Sequence, residues 1–145
     1  MGADLPDRST YRALLASGLE ARLVTTKCYA QAVYAYQASD FAGQSPVVVV
    51  TSAGTEAEQS TFGGDETRFD YDVIVFVLYA DGTAWTEADS EGRIDLLEKE
   101  VRDWVADNRA GTIYWHTRGQ TEIDAVMVGG DEYRMERIPI SALIP

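Results

Sequence analysis

The residues whose chemistry is most easily put to use are few. The chain holds one histidine, His116, and one cysteine, Cys28. A Cys–His pair makes a thiolate nucleophile when a third group orients the imidazole. Here both residues fall in segments that read as strands, and nothing in the sequence supplies that third group. The reading is a buried thiol and a histidine at a strand end. One Cys and one His also fall short of the N/S ligand set of a zinc site. Asp70-Tyr71-Asp72 is a DxD string. In a strand alternate side chains share a face, so both carboxylates can reach one divalent cation. The simpler reading is two solvated acids at a strand entrance. No phosphate loop, GxGxxG, GxSxG or HExxH occurs. Gly63-Gly64 lacks a following Lys-Ser/Thr and reads as flexibility. The expectation is no catalytic residue, no metal and no cofactor.

The composition bounds what such residues can serve. At 145 residues the chain is one domain's worth and needs no disulfide or metal to fold. A hydrophobic fraction of 46% is ordinary for a globular protein. A single cysteine forbids an intrachain disulfide and fits a reducing compartment. The first seven residues carry no signal pattern, and no apolar run approaches the length of a membrane span. The formal charge is −12, and it is unevenly spread: from Cys28 to Gly92 there are eleven acids and one base, Arg68. Such a chain does not grip a polyphosphate backbone, which takes clustered Lys and Arg.

The elements that position these residues follow from periodicity. Tyr11, Leu14, Leu15, Leu19 and Leu23 recur at helical spacing behind a Ser9 or Thr10 cap, with Gly18 a mild weakness and an end near Val24 to Thr26. Lys27 to Gln37 reads as a strand of mixed polarity, Asp40 to Pro46 as turn chemistry, and Val47 to Thr51 as a strand covered on both faces. Ser52 to Phe69 shows no apolar period and reads as a long acidic loop, dispensable for folding but functional. Asp70 to Ala80 reads as the central strand, with Asp81-Gly82 as a turn after it. Thr86 and Asp89 form a capping box for a second helix to Arg109. Its buried stripe is Ile94, Leu97, Val101, Trp104 and Val105, with Trp104 set against Val75 and Val77. Asp95–Lys99 and Glu98–Arg102 are its surface pairs. Thr112 to Thr117, Glu122 to Val128 and Glu132 to Ile140 are strands, the last two joined at Gly129-Gly130-Asp131. The order predicts a single α+β domain: an antiparallel or mixed β-sheet with two main helices packed on it. Trp85, Trp115, Tyr34 and Tyr36 divide between core and interface, since aromatics are enriched at both.

Taken in order, these elements resemble the tail terminators, also called tail completion proteins, of long-tailed phages. The likeness rests on the N-terminal helix with Leu14, Leu15, Leu19 and Leu23, and on Tyr34-Ala35-Tyr36-Gln37 and Ser45 to Val50 before the acidic segment. It rests also on Tyr71 to Tyr79 leading to a helix that ends Trp104-Val105, and on Gly129 to Glu136 leading into Ile138-Pro139-Ile140. It covers nearly the whole chain. The resemblance implies a structural virion protein without enzymatic activity. Copies, six in the family, form a ring at the head-proximal end of the tail tube, end tube polymerisation and join the tail to the head connector. The partners are then other copies, the tail tube protein and the connector protein, with genomic DNA passing through without specific binding and no membrane involved. The location is the virion neck, and the host cytoplasm during assembly. Glu56, Glu58, Asp65, Glu66, Asp70 and Asp72, with Arg68 as the one base, become candidates for partner contact or for lining a channel that repels its cargo. Alternatives are another neck component, or a small ligand-binding or enzymatic α+β domain with a pocket between sheet and helix.

Overall fold

Two helices lie on one face of a six-stranded mixed sheet in the computed structural model, which describes residues 5–59, 65–80, 84–109 and 111–145. Gly63-Gly64 and the Asp81-Gly82 turn lie outside these. Helix α1 spans Arg8–Glu20 and passes into a π-helical turn, Ala21–Thr26. Its cap is Asp7, whose carboxylate accepts the backbone N–H of Ser9 at 2.8 Å, and not Ser9 or Thr10. A carboxylate is the stronger acceptor, and from two residues before Ser9 it reaches the first free N–H groups. Leu15, Leu19 and Leu23 are buried, whereas Leu14 is exposed.

Only Ala32–Tyr34 of the expected Lys27–Gln37 strand pairs, as β1, parallel to the start of β2, Val47–Gln59. β2 runs antiparallel to β3, Asp65–Leu78. β3 pairs in turn with β6, Asp131–Ile144. Along the other edge of β6 lie two short strands end to end: β5, Glu122–Val128, against Asp131 to Arg137, and β4, Tyr114–Thr117, against Ile140 to Leu143. Pro139 stands at the joint. Its carbonyl accepts the N–H of Arg118, so its imide nitrogen, which has no hydrogen to give, faces the same gap. The β5–β6 turn is Gly129-Gly130, both at positive φ (58° and 88°), as a two-residue type I′ turn requires.

Alternation along β3 divides the core. Tyr71, Val73, Val75 and Val77 face the helices, with Val48, Val50, Ile138 and Ile140. Ile74 and Phe76 face away, with Val47, Val49, Tyr133 and Met135, under the segment that follows β1. There Phe41 packs on Phe76 at 4.9 Å and on Tyr133 at 5.3 Å. Helix α2, Glu87–Asp107, starts at the expected Thr86–Asp89 capping box and buries Ile94, Leu97, Val101, Trp104 and Val105. Trp104 shares the core cluster with Val75 and Val77, and it also meets the Trp115 ring at 5.4 Å in T-shaped contact and the backbone of α1 at Gly18. Lys99 pairs with Asp103, not Asp95, while Glu98–Arg102 forms as read.

Candidate functional site

The acidic segment is where sequence and structure differ most. Ser52 to Phe69 is not an irregular loop. β2 and β3 pair continuously, through one bulge at Ser52/Gly54, out to Gln59 opposite Asp65. β6 follows β3 as far as Thr67 opposite Ile144. The hairpin therefore runs past the end of β6 as an arm. Its inner end is structural: Phe69 and Thr67 are buried, and Phe69 stacks on Tyr11 of α1 at 5.7 Å. That overturns the expectation that all of Ser52 to Phe69 is dispensable for folding.

The bulge re-phases the two strands, so Glu56, Arg68, Asp70 and Asp72 share the sheet face turned away from the helices. They form one chain of charges. Arg68 reaches Glu56 at 2.6 Å and Asp70 at 3.1 Å. Asp70 also accepts the Ser141 hydroxyl at 2.6 Å and lies 3.4 Å from Arg118. Asp72 sits 3.9 Å from Arg118 and 3.7 Å from Arg137, which extends to Glu122 at 3.3 Å. Desolvation alone would raise the Asp70 carboxyl. The Ser141 hydrogen bond, Arg118 and Arg68 outweigh it and hold the group below its ordinary value. Asp70 and Asp72 are therefore neutralised in place, neither solvated acids nor a pair left open for a cation. Among the described residues no group of three His, Cys, Asp or Glu is disposed to hold a metal. Glu66 is exposed on the arm; the side chains of Glu58 and Asp65 lie outside the described residues.

Arg118, Arg137 and Ser141 were not singled out from sequence. Alternation along β6 puts Arg137 and Ser141 on the face opposite Ile138 and Ile140, which was legible. The register that sets them beside Asp70 and Asp72 was not.

The far edge of the sheet has the opposite character. From Asn108 to Thr121 the chain has two arginines, His116 and no acid. Tyr114 is exposed, with the Arg109 guanidinium 6.0 Å above its ring and the His116 ring 5.6 Å away. His116 Nδ1 lies 3.3 Å from the Thr117 carbonyl. Cys28 is exposed, in the connection after the π-helical turn, and is not the buried thiol expected. Trp85 is half-buried, donating its indole N–H to the Leu78 carbonyl at 2.8 Å, and Trp115 is core. Tyr36 is exposed and Tyr34 half-buried, the latter donating its hydroxyl to Gln44 at 2.6 Å.

A third cluster ties the helices together. Arg22, on the π-helical turn, holds Glu100 at 2.8 Å and Asp107 at 2.9 Å across α2. Elsewhere, Glu136 of β6 is buried. Desolvation, with Glu98 and Asp95 adding to it, raises its carboxyl above the ordinary value against the opposing pull of Thr121 and Arg102. The chain matches no protein-family model and no curated protein sequence.

Proposed function

We propose that this chain is a structural component of a phage tail of the terminator kind. In this reading copies assemble into a ring, six as in the family it resembles, at the head-proximal end of the tail tube. The ring caps tube growth and offers its upper face to the head connector while DNA passes through the hole. The observation that carries the reading is the β2–β3 arm. It projects beyond β6, and between Thr51 and Thr67 the sequence places four acids and no base. The shared order of elements with the terminators adds to it.

The arginine network narrows which acids present a field to DNA. Asp70 and Asp72 have their charge matched by Arg118 and Arg137. The arm keeps a net negative charge, with Glu56, Glu58, Asp65 and Glu66 against Arg68. At physiological salt such a field reaches about 8 Å. A narrow, low-dielectric hole concentrates it, so the wall repels phosphates instead of holding them.

The test is a tube-assembly reaction. Purified chain added to polymerising tail tube protein gives capped tubes, visible by electron microscopy as a ring at one end, and the chain retains no duplex DNA at moderate salt. Tubes that elongate as if the chain were absent overturn the reading.

A further inference from the structure

On each side of the sheet a strand edge has no partner among the described residues, and the two segments that carry these edges, the β2 arm and the stretch around β4, differ in charge. β2 is covered on its outer side by β1 only at Val47 to Val49. From Val50 to Gln59 that edge has no partner among the described residues, a length of about 33 Å at 3.3 Å per residue. Natural edge strands are guarded by brevity, charged side chains, Pro or a bulge. Val50 to Gln59 contains no Lys, Arg or Pro, and its side chains are mostly small, with one bulge at Ser52/Gly54. At the other end of the strand order, among the described residues β4 pairs only with β6 and leaves its outer edge open. The acid-free segment Asn108 to Thr121, with Arg109 stacked over exposed Tyr114, surrounds it.

We propose that the outer edge of the β2 arm in one copy of this chain pairs, as an added strand, with the open edge of β4 in the next copy. This rests on the ring reading above and gives it an interface. The occupant is another copy because the charges select it. Two acidic arms brought edge to edge repel, whereas the acid-free β4 segment, where Arg118 is engaged by Asp70 and Asp72, offers Arg109 to an arm, so arm on β4 is the matched combination. Because the two edges lie on opposite sides of one sheet, the contact is heterologous. Each copy that uses its arm leaves its β4 edge free for another, the geometry that closes rings. Backbone hydrogen bonds supply the affinity in such strand addition, and the charges supply the choice of partner.

The experiment uses purified full-length chain and sedimentation velocity at low and at molar salt. The wild-type chain forms a multimer that dissociates as salt rises. Two variants invert one edge each: Thr55→Arg with Glu58→Arg on the arm, and Arg109→Glu with Thr112→Glu beside β4. Each alone self-associates at least about tenfold more weakly, with an unchanged circular dichroism spectrum. Mixed in equal amounts they recover a multimer of alternating copies, because each inverted edge now meets an inverted or native complement. Hydrogen exchange on the wild-type chain gives a reading that needs no variant: amides in Thr51 to Gln59 and Tyr114 to Thr117 gain protection on assembly and lose it on dilution. Variants that assemble like wild type, a mixture that stays dissociated, or an assembled particle with both edges unprotected overturns the proposal. So does a wild-type chain that is monomeric throughout, its arm edge then being left to a different protein such as the tube subunit. These measurements contain no tubes. A multimer built through other surfaces defeats the edge pairing and leaves the terminator reading standing, whereas edge-paired rings that fail to cap tubes defeat the terminator reading alone.

Discussion

Replacing Gly18 with alanine separates helix propensity from packing by the sign of its effect. In the middle of an exposed helix, alanine is favoured over glycine by about 0.5–1 kcal/mol. In α1 a Cβ at position 18 comes to 2.5 Å from Cζ2 and 2.6 Å from Nε1 of Trp104. The indole is a rigid plate, and it cannot retreat freely. It sits in T-shaped contact with Trp115 at 5.4 Å, and Trp115 in turn lies 6.4 Å from the buried ring of Tyr71. Inserting a methyl group into such a site costs about 1–3 kcal/mol. Setting the propensity gain against that leaves Gly18→Ala less stable by about 1–2 kcal/mol, near a tenfold change in the folding equilibrium constant. Urea unfolding followed by tryptophan fluorescence measures it, as a shift of the midpoint at unchanged slope. The second arm of the cycle is the Trp104→Ala background, which by itself loses about 3–5 kcal/mol. With the ring gone, Gly18→Ala becomes stabilising by about 0.5–1 kcal/mol. A Gly18→Ala protein more stable than wild type, or a change of the same sign and size in both backgrounds, refutes the packing argument.

Glu136→Gln raises stability near neutral pH. A carboxyl whose folded pKa lies above its unfolded one contributes stability that is complete below the unfolded pKa and is lost as pH rises through the folded one. The advantage of Gln therefore shrinks as pH falls into the carboxylate range, and a pH series of melting curves that stay parallel contradicts it. Excising Gln59–Asp65 and joining Glu58 to Glu66 through Asn-Gly leaves the melting temperature near wild type, whereas Phe69→Ala, at the buried end of the same hairpin, loses about 3–5 kcal/mol; a shortened arm that unfolds the protein disproves this division. Asp7→Ala lowers the melting temperature by freeing the Ser9 N–H, and Asp7→Asn restores most of it; equal melting temperatures for all three proteins rule the cap out as a contributor.

Local signals were read correctly where they agreed with tertiary structure. The Thr86–Asp89 box, the doubly apolar β3 and the Gly129-Gly130 turn are each specified within a few residues. The arm was missed because its β-structure is imposed by pairing. Ser52 to Thr67 has small and acidic residues with no period, and a strand there exists only as a ladder to its neighbour. β1 shrank for the opposite reason: its Tyr and Val residues have strand propensity, but only Ala32–Tyr34 finds an edge to pair with. Trp104 was placed on the correct face of α2, but its contacts with Trp115 and with α1 at Gly18 were not legible, since periodicity fixes a face and not what packs on it. At the candidate site, the acids were visible one by one. That Asp70 and Asp72 are matched by arginines 46 to 65 positions away depends on the register of β3 on β6 and on the course of the chain after β4, neither of which any local pattern records.

The joint at Pro139 bears on slippage. A strand docking along a smooth, uninterrupted edge can slide by two residues and keep every side chain on its proper face, so register there is only loosely held. The edge that β4 and β5 present is broken at one place, where β6 carries a proline with no hydrogen to donate. A strand seated on the four residues of β4 and displaced toward β5 meets that break instead of an equivalent rung. The interruption works as an end-stop on that side: it bars displacement toward β5, and it denies runaway strand addition the long continuous template on which such growth depends.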